Sequence, residues 1–249
     1  MLTNPTIEKL CALRLNAMVS AWEAQHQDPS INALAFDERF ALLVEAEWVA
    51  RENRRLARAL QEAKLRASHA CLEAVDYASR RGLERSQVRQ LATCRWVAEH
   101  QAVIIVGATG TGKSFLACAL AHQACRKGYR ALYWRTSRLL HELTVARAAG
   151  TYPRLLMRLA RADVLVLDDW GLMPVGDQDR QDLLEILEDR YDVRATIITS
   201  QLAPSLWHDY LGHPTLADAI CDRVVHHAHR IELKGDSLRK VRAKPAQEG

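Results

Sequence analysis

The sequence has no long hydrophobic run and no closely paired cysteines, and both absences limit what the protein can be. None of its apolar stretches approaches the roughly 20 residues needed to cross a bilayer, and the first residues, MLTNPTIEKL, lack a basic and then apolar leader. The six cysteines are scattered without a C-x-x-C pair, which indicates free thiols rather than a disulfide framework or a zinc site. These absences predict a cytoplasmic protein without membrane contacts.

Motifs that read DNA bases are also missing, since no zinc-finger or helix-turn-helix pattern occurs in the chain. Base-specific recognition is therefore unsupported. The net charge is only +4, yet residues 51–66 carry six basic and two acidic side chains, and six minus two equals that whole charge. Such a segment is an expected footprint of contacts with the DNA phosphate backbone, unless its acids pair with its basic residues on an ordinary solvated face. The basic side chains are Arg51, Arg54, Arg55, Arg58, Lys64 and Arg66.

What the sequence does contain is a loop suited to a polyphosphate. GATGTGKS, residues 107–114, follows the apolar run AVIIV and matches the pattern G-x-x-x-x-G-K-[ST]. Its glycines allow successive N–H groups to point at an anion, and the helix that starts near Lys113 adds its positive end. We expect Lys113 to reach the β- and γ-phosphates and Ser114 to offer its hydroxyl to Mg²⁺. The predicted nucleotide-binding residues here are Gly107, Ala108, Thr109, Gly110, Thr111, Gly112, Lys113, Ser114 and Phe115.

The context of this loop favours a functional site over a chance glycine turn. Apolar runs alternate with helical patterns from residue 102 onward, which predicts a parallel sheet flanked by helices, with ligands beyond the carboxyl ends of the strands. The fold class is therefore α/β, a P-loop NTPase sheet behind an all-helical N-terminal domain. The predicted strands cover residues 102–106, 130–136, 162–170 and 194–201.

The first hundred residues are predicted to be helical throughout. One helix is expected over residues 7–25 and a second over 36–68, separated by the segment PSINALAF. We expect a helical domain over 1–68, an ATPase core over 69–240 and a disordered basic tail over 241–249.

Asp168 and Asp169 follow the apolar run VLVL, where a predicted strand ends. In enzymes with a phosphate-binding loop, an acid at this place completes Mg²⁺ coordination, and a second acid can orient or deprotonate the attacking water. An exposed pair of aspartates in a loop is the simpler alternative. Two carboxylates at the edge of a buried strand are unfavourable without a cation or hydrogen-bond donors, so the metal role is preferred.

Four segments carry a family resemblance over nearly the whole chain: GATGTGKSFLACALAHQACRKG, ADVLVLDDWG, ATIITSQL and LADAICDRVVHHAHRIELKGDSLRK. Together with the helical leader they resemble the IstB-like family of ATP-binding proteins. These are helper ATPases of bacterial insertion sequences, similar to the replicative helicase loader DnaC within the AAA+ group. The resemblance implies an AAA+ type of core, with ATP and Mg²⁺ as cofactors.

The resemblance also implies individual roles. Asp168 would bind Mg²⁺ together with Ser114, and Asp169 would take the place of the water-activating acid. Many AAA+ proteins have Glu at that place, and because Asp is one methylene shorter we expect slow hydrolysis. The polar end of IITSQ would sense the γ-phosphate, through Ser200 in preference to Thr199 or Gln201. Lys113 completes the expected catalytic set.

Arg223, in the segment CDRVV, lies where such proteins place an arginine that reaches a neighbouring subunit's nucleotide. A cation supplied in trans makes hydrolysis depend on assembly. The alternative is a surface salt bridge to Asp218 or Asp222. Arg239, in GDSLRK, is a weaker candidate for a nucleotide contact. The helical lid that follows the core of many AAA+ proteins is expected to be absent, because only ten residues follow Arg239.

His226, His227 and His229 have an H-H-x-H spacing that suits a metal. No cysteine or carboxylate completes a ligand set nearby, so we interpret them as histidines at a strand edge.

The function hypothesis that follows is an ATP-dependent transposition helper. It would oligomerise as a ring or spiral on double-stranded DNA, deform that DNA largely independently of sequence, and stimulate a partner transposase. A helicase loader of the DnaC type shares the core and remains an alternative. A small-molecule kinase is a second alternative, although TIITSQ and Arg223 have no obvious role in one.

Overall fold

The computed structural model describes residues 5–77, 82–235 and 237–238. Within these ranges the architecture is a parallel sheet flanked by helices, preceded by a helical region, which confirms the predicted fold class. No helix in the described ranges is long and apolar enough to span a membrane.

The chain divides into two compact units, residues 1–58 and 59–249. The predicted domain limits at residues 68 and 240 stay predictions. The predicted disordered tail, 241–249, lies outside the described residues.

The first unit begins with two helices where the sequence predicted one. α1 spans Pro5–Ala12 and α2 spans Asn16–Gln27, so the expectation of one continuous helix over 7–25 is wrong. The chain turns at Arg14, whose φ of 59° is left-handed, and the neighbouring Leu13 is exposed.

A carboxylate from the next helix explains where α2 starts. Glu47 is buried, and its Oε2 accepts hydrogen bonds from the backbone N–H groups of Ala17 and Met18 at 3.0 and 3.2 Å. The first N–H groups of a helix have no partner within it. A negative charge there also interacts favourably with the positive end of the helix dipole. This contact joins residues thirty positions apart, so local periodicity does not reveal it.

The third helix is shorter than predicted. α3 spans Phe36–Ala63 and not 36–68, because Lys64 adopts a left-handed φ of 51°, a usual way for a helix to end. From Lys64 to Tyr77 the chain is irregular apart from a short 3₁₀ turn at Leu72–Ala74. The expectation of helix throughout the first hundred residues is therefore wrong in this stretch.

The sheet is entirely parallel, with the strand order β2-β3-β4-β1-β5. Its carboxyl ends share one edge and its amino ends share the other. Strand β3 reads VLVL before its polar end, and those four side chains are fully buried, as expected for a strand covered on both faces. The strands are β1 Ala102–Gly107, β2 Ala131–Arg135, β3 Val164–Trp170, β4 Ala195–Ser200 and β5 His229–Leu233.

Helices connect and cover the strands, and α8 is among those that were not predicted. α8 lies between β2 and β3 after α7, and its leucines Leu156 and Leu159 are buried in the core. It has only nine residues and contains Pro153 in its first turn, so its apolar residues repeat over only a few turns. The helices are α4 Arg85–Ala92, α5 Arg95–Ala98, α6 Lys113–Arg126, α7 Thr136–Ala148, α8 Tyr152–Ala160, α9 Asp177–Glu188, α10 Trp207–Leu211 and α11 Pro214–Val225.

Candidate nucleotide-binding site

The glycine-rich loop joins the carboxyl end of β1 to the first turn of α6, as the sequence predicted. Gly110 and Gly112 have φ values of 86° and 96°, which glycine adopts without strain. At Gly107 a Cβ would lie only 2.3 Å from the backbone oxygen of Leu233, so the end of β5 passes too close for any side chain. The loop therefore presents bare backbone at the positive end of a helix, which is suited to an anion.

Lys113 is the charged group of this loop. Its side chain is buried, and its Nζ donates to the backbone oxygens of Gly107 and Ala108 at 2.7 and 2.9 Å. Burial lowers the pKa of Lys113, while Asp169 and Asp168 act in the opposite direction. The ammonium group is thus folded into the loop, next to the N–H groups that would meet phosphate oxygens.

Asp168 lies at the end of β3 and is completely buried. Three hydroxyl groups donate to its carboxylate: Ser114 Oγ at 2.8 Å, Thr199 Oγ1 and Tyr133 Oη. Burial and the neighbouring carboxylate raise the pKa of Tyr133 above its ordinary value, so this phenol stays a donor. These donors are the compensation that a buried carboxylate needs.

Ser114 and Asp168 together offer hydroxyl and carboxylate oxygens, the hard ligands that Mg²⁺ prefers. No group of three or more His, Cys, Asp or Glu side chains within the described ranges is arranged for a metal. Mg²⁺ usually binds through one or two protein ligands together with water and substrate phosphates, so this pair fits it. The metal role of both residues stays a prediction.

Asp169 has an unusual backbone, with a φ of 60°. Its N–H donates to Thr199 Oγ1 at 3.1 Å, which fixes the turn beside the buried carboxylate. Strained conformations of this kind cluster at functional sites and persist only where surrounding contacts hold them. Its side chain is partly exposed, so water can reach it.

Two guanidinium groups face this pair of acids. Arg135 Nε lies 3.3 Å from Asp169 Oδ2, and Arg66 Nη1 lies 3.6 Å from Asp168 Oδ2 and 3.7 Å from Asp169 Oδ2. The prediction that Arg66 lies on the basic helix is therefore wrong, whereas its DNA-binding role stays a prediction. Arg66 follows the end of α3, and the irregular chain directs it to the nucleotide site.

The three candidates for a γ-phosphate sensor lie at the end of β4 and make different contacts. Ser200 is buried and donates to the backbone oxygen of Trp170 at 2.8 Å, whereas Thr199 contacts both acids. Gln201 is exposed, and its Oε1 accepts from Thr109 Oγ1 at 2.9 Å. In the described part of the chain, the loop contact is made by Gln201 and not by Ser200, and the sensing role of Ser200 stays a prediction.

Two further segments contact the loop, and neither of these contacts was predicted from the sequence. Leu238 N donates to Gly110 O at 3.0 Å, and the ring of Phe115 lies 6.0 Å from that of His69. The motif GDSLRK was a signal for the first contact. Arg239, the weaker nucleotide candidate, lies outside the described residues. Thr111, another residue of the loop, donates to Ala108 O at 2.8 Å.

Arg223 lies near the end of α11, at the opposite edge of the sheet. It shares a cavity of about 260 Å³ with Ala102 and Thr196, which lie at the amino ends of β1 and β4. Its guanidinium forms an ion pair with Glu188 on α9, and its Nη1 donates to Ala219 O at 2.7 Å.

The alternative partners predicted for Arg223 are wrong, because Asp218 and Asp222 pair with histidines instead. His208 Nε2 lies 3.3 Å from Asp218, and His226 Nε2 lies 3.2 Å from Asp222. His229, in β5, contacts Gln101 Oε1 at 2.6 Å. The histidines therefore face different partners.

The arginines in the middle of α3 are engaged within their own helix. Arg51 and Arg54 both bind Glu47, at 2.8 and 3.2 Å, and Arg55 binds Glu52 at 2.8 Å. Their DNA-binding role stays a prediction. Arg58 and Lys64, the other predicted contacts, are exposed and form no hydrogen bond or ion pair with the residues that the structure describes.

Comparison with known proteins agrees with this geometry. The family model described as IstB-like ATP binding protein matches residues 8–246. The chain is 49% identical over 240 residues to the insertion sequence ATP-binding protein y4pL of Sinorhizobium fredii (strain NBRC 101917 / NGR234), covering 96% of this chain and 98% of that relative. It is 45% identical over 205 residues to the insertion sequence IS1162 ATP-binding protein of Pseudomonas fluorescens, covering 82% and 89%.

Among solved structures, the crystal structure of the DnaC helicase loader superposes with a TM-score of 0.53 at 26% identity. The match covers 67% of this chain and 97% of that one. The core is thus a P-loop fold of the AAA+ type. With its glycine-rich loop, its buried acid and its family match over nearly the full length, the chain belongs to the IstB-like ATP-binding proteins.

Proposed function

We propose that this protein is an Mg²⁺-dependent ATPase that assembles on double-stranded DNA and helps a transposase of its insertion sequence. The observation that carries the proposal is the separation of Arg223 from the loop at residues 107–114. These groups lie at opposite edges of one parallel sheet. Its strand β1 has six residues and rises about 3.3 Å per residue, or roughly 20 Å.

This separation supports assembly in a simple way. A guanidinium on the far edge cannot contact the nucleotide of its own subunit, but it can contact that of a neighbour stacked edge to edge. The ion pair with Glu188 holds Arg223 in place until then. A cation supplied in trans stabilises charge on the transferred phosphoryl group, so hydrolysis follows assembly.

The loop residues carry the nucleotide in this proposal. The backbone of residues 107–112 cradles the phosphates and Lys113 neutralises them. Ser114 and Asp168 hold Mg²⁺, which when bound neutralises charge on the phosphate oxygens. Asp169 orients the attacking water, and its short side chain makes the step slow. Gln201 is the better-placed sensor of the γ-phosphate, because it already contacts Thr109.

The second candidate function is that of a helicase loader, because the match to the DnaC structure has 26% identity and covers 97% of that chain. The two functions differ in the partner protein. Stimulation of transposase-dependent strand transfer favours the first, and capture of a hexameric helicase without effect on transposition favours the second.

Size-exclusion chromatography with light scattering tests the assembly. The protein is measured with ADP or a slowly hydrolysed ATP analogue, with and without a 60-base-pair duplex. We expect large complexes only with the analogue and DNA, and their loss in Arg223→Ala. Arg95→Ala is the matched control, because Arg95 is an exposed arginine in a local ion pair with Glu99. A wild-type protein that stays monomeric under every condition refutes the proposal.

A further inference from the structure

A second basic surface lies on the ATPase core, around α8. A pocket of about 520 Å³ opens where β2 and β3 begin, at the edge of the sheet opposite the nucleotide loop. Four arginines and one acid, Glu62, are the charged side chains of its lining. The arginines are Arg130, Arg154, Arg158 and Arg161.

Three of these arginines form one ridge, with two of them on α8 and the third, Arg161, directly after its last residue. Arg154, Arg158 and Arg161 are spaced i, i+4 and i+7, so they project from the same side of the helix and span about 10 Å along it. All three are exposed, and none forms a hydrogen bond or ion pair through its side chain with the described residues. This α8 ridge therefore differs from Arg51, Arg54 and Arg55 of α3, which pair with Glu47 and Glu52.

Helix stability does not explain the α8 ridge. Cations near a helix carboxyl end are favoured by the dipole, which accounts for Arg158 and Arg161. Arg154, however, is in the first turn, where a cation is disfavoured, and α8 has no acid in that turn. Like charges four residues apart also repel. The arrangement keeps positive charge that nothing in α8 itself compensates.

The ridge is also held rigidly. The buried Arg190 donates from Nη1 to the backbone oxygens of Leu159 and Ala162, at 2.6 and 2.8 Å. Arg130 donates to the backbone oxygen of Arg161 at 2.9 Å, and its own N–H binds Asp163 at 2.8 Å. The helix end is thus tied to the sheet while the guanidinium groups stay free.

We propose that the α8 ridge binds the phosphate backbone of double-stranded DNA. Each DNA strand presents a phosphate every 3.4 Å or so along its axis, so a rigid 10 Å row of guanidinium groups can meet several phosphates at once. An extended, exposed row suits a polymer of phosphates better than a single small anion in a closed pocket. The inference rests on the proposed function, which requires DNA binding, and it names the surface that provides it.

The test is the salt dependence of DNA binding, measured by fluorescence anisotropy of a labelled 30-base-pair duplex with a slowly hydrolysed ATP analogue. The double variant Arg154→Gln, Arg158→Gln removes two phosphate contacts. Each contact steepens the dependence of log affinity on log salt by about 0.9, so between 50 and 200 mM salt the wild type should lose roughly 12-fold more affinity than the variant. Lysine at both positions should restore most of the slope.

The control variant Arg95→Gln, Arg126→Gln removes the same charge from two exposed arginines that pair with Glu99 and Glu73. It should keep the wild-type slope. An unchanged slope in the α8 variant, with DNA binding by the wild type intact, overturns this inference and leaves the proposed function standing. Absence of any DNA binding by the wild type overturns both. Loss of tripolyphosphate binding with unchanged duplex affinity identifies a small-anion site and also overturns it.

Discussion

The two edges of the central sheet carry charge in opposite ways. At the carboxyl edge, Asp168 and Asp169 face hydroxyl groups and the guanidinium groups of Arg66 and Arg135, and a glycine loop leaves its N–H groups exposed. At the amino edge, arginines face backbone carbonyl oxygens, the carboxylates of Asp163 and Glu188 or, among the described residues, no partner. One edge fits a nucleotide, and we propose that the other supplies positive charge to another molecule. Four changes test this contrast.

The largest effect is expected at the amino edge, in the substitution Arg190→Met. Arg190 is almost fully buried and donates to the backbone oxygens of Leu159, Ala162 and Ala195 and to Thr196 Oγ1, and no carboxylate of the described residues pairs with it. Removing it leaves buried carbonyl groups unpaired, and we expect a loss of about 4 kcal/mol in the free energy of unfolding.

Urea denaturation measures this loss. Arg158→Met is the control, because that arginine is exposed on α8, and it should change the unfolding free energy by less than about 0.5 kcal/mol. Equal changes in the two variants would show that the buried arginine does not anchor this edge.

The next effect concerns the carboxyl edge, in Lys113→Ala. Its ammonium group is the cation nearest the loop carbonyls, and charge-assisted hydrogen bonds contribute about 1.5–3 kcal/mol each. We expect affinity for a fluorescent ATP analogue to fall by roughly 100-fold, which corresponds to about 2.7 kcal/mol. Lys127→Ala, at the exposed end of α6, should bind as the wild type does. Equal affinity of Lys113→Ala and wild type would contradict the assignment of the loop.

A smaller effect is the difference in stability between alanine substitutions at two glycines with positive φ. Gly107→Ala places a methyl group 2.3 Å from Leu233 O, whereas at Gly150 nothing lies within 4 Å. We expect Gly107→Ala to reduce stability by about 2 kcal/mol more than Gly150→Ala, since both incur left-handed strain but only the first adds a clash. Differential scanning calorimetry would then give a melting temperature lower by about 5 °C. Coincident transitions for the two variants would mean that β5 does not restrict the loop.

The smallest effect is expected for Arg66→Gln. Arg66 lies within 4 Å of both acids and is partly exposed. Removing its charge should strengthen Mg²⁺ binding by about 5-fold, or about 1 kcal/mol, because a competing cation is lost beside the metal ligands. Titration of Mg²⁺ against a bound fluorescent nucleotide measures the change, with Arg126→Gln as control. Weaker Mg²⁺ binding in Arg66→Gln would show that the guanidinium supports the metal site instead of opposing it.

The segments that were predicted well are those with strong local patterns. The apolar runs around Ile104, Val166 and Ile197 are fully buried strands, and GATGTGKS forms the expected strand-to-helix loop. The prediction was wrong where distant contacts decide. Glu47 caps α2 across thirty residues.

By itself the sequence determined four of the strands, the phosphate-binding loop and the family, because glycine spacing and apolar period act over a few neighbouring residues. Only the tertiary structure decided that Arg66 faces the acids, that Gln201 contacts the loop and that the arginines of α8 have no side-chain partner among the described residues. The physical reason is that a charge takes its role from the groups that surround it in space. Those groups come from distant parts of the chain.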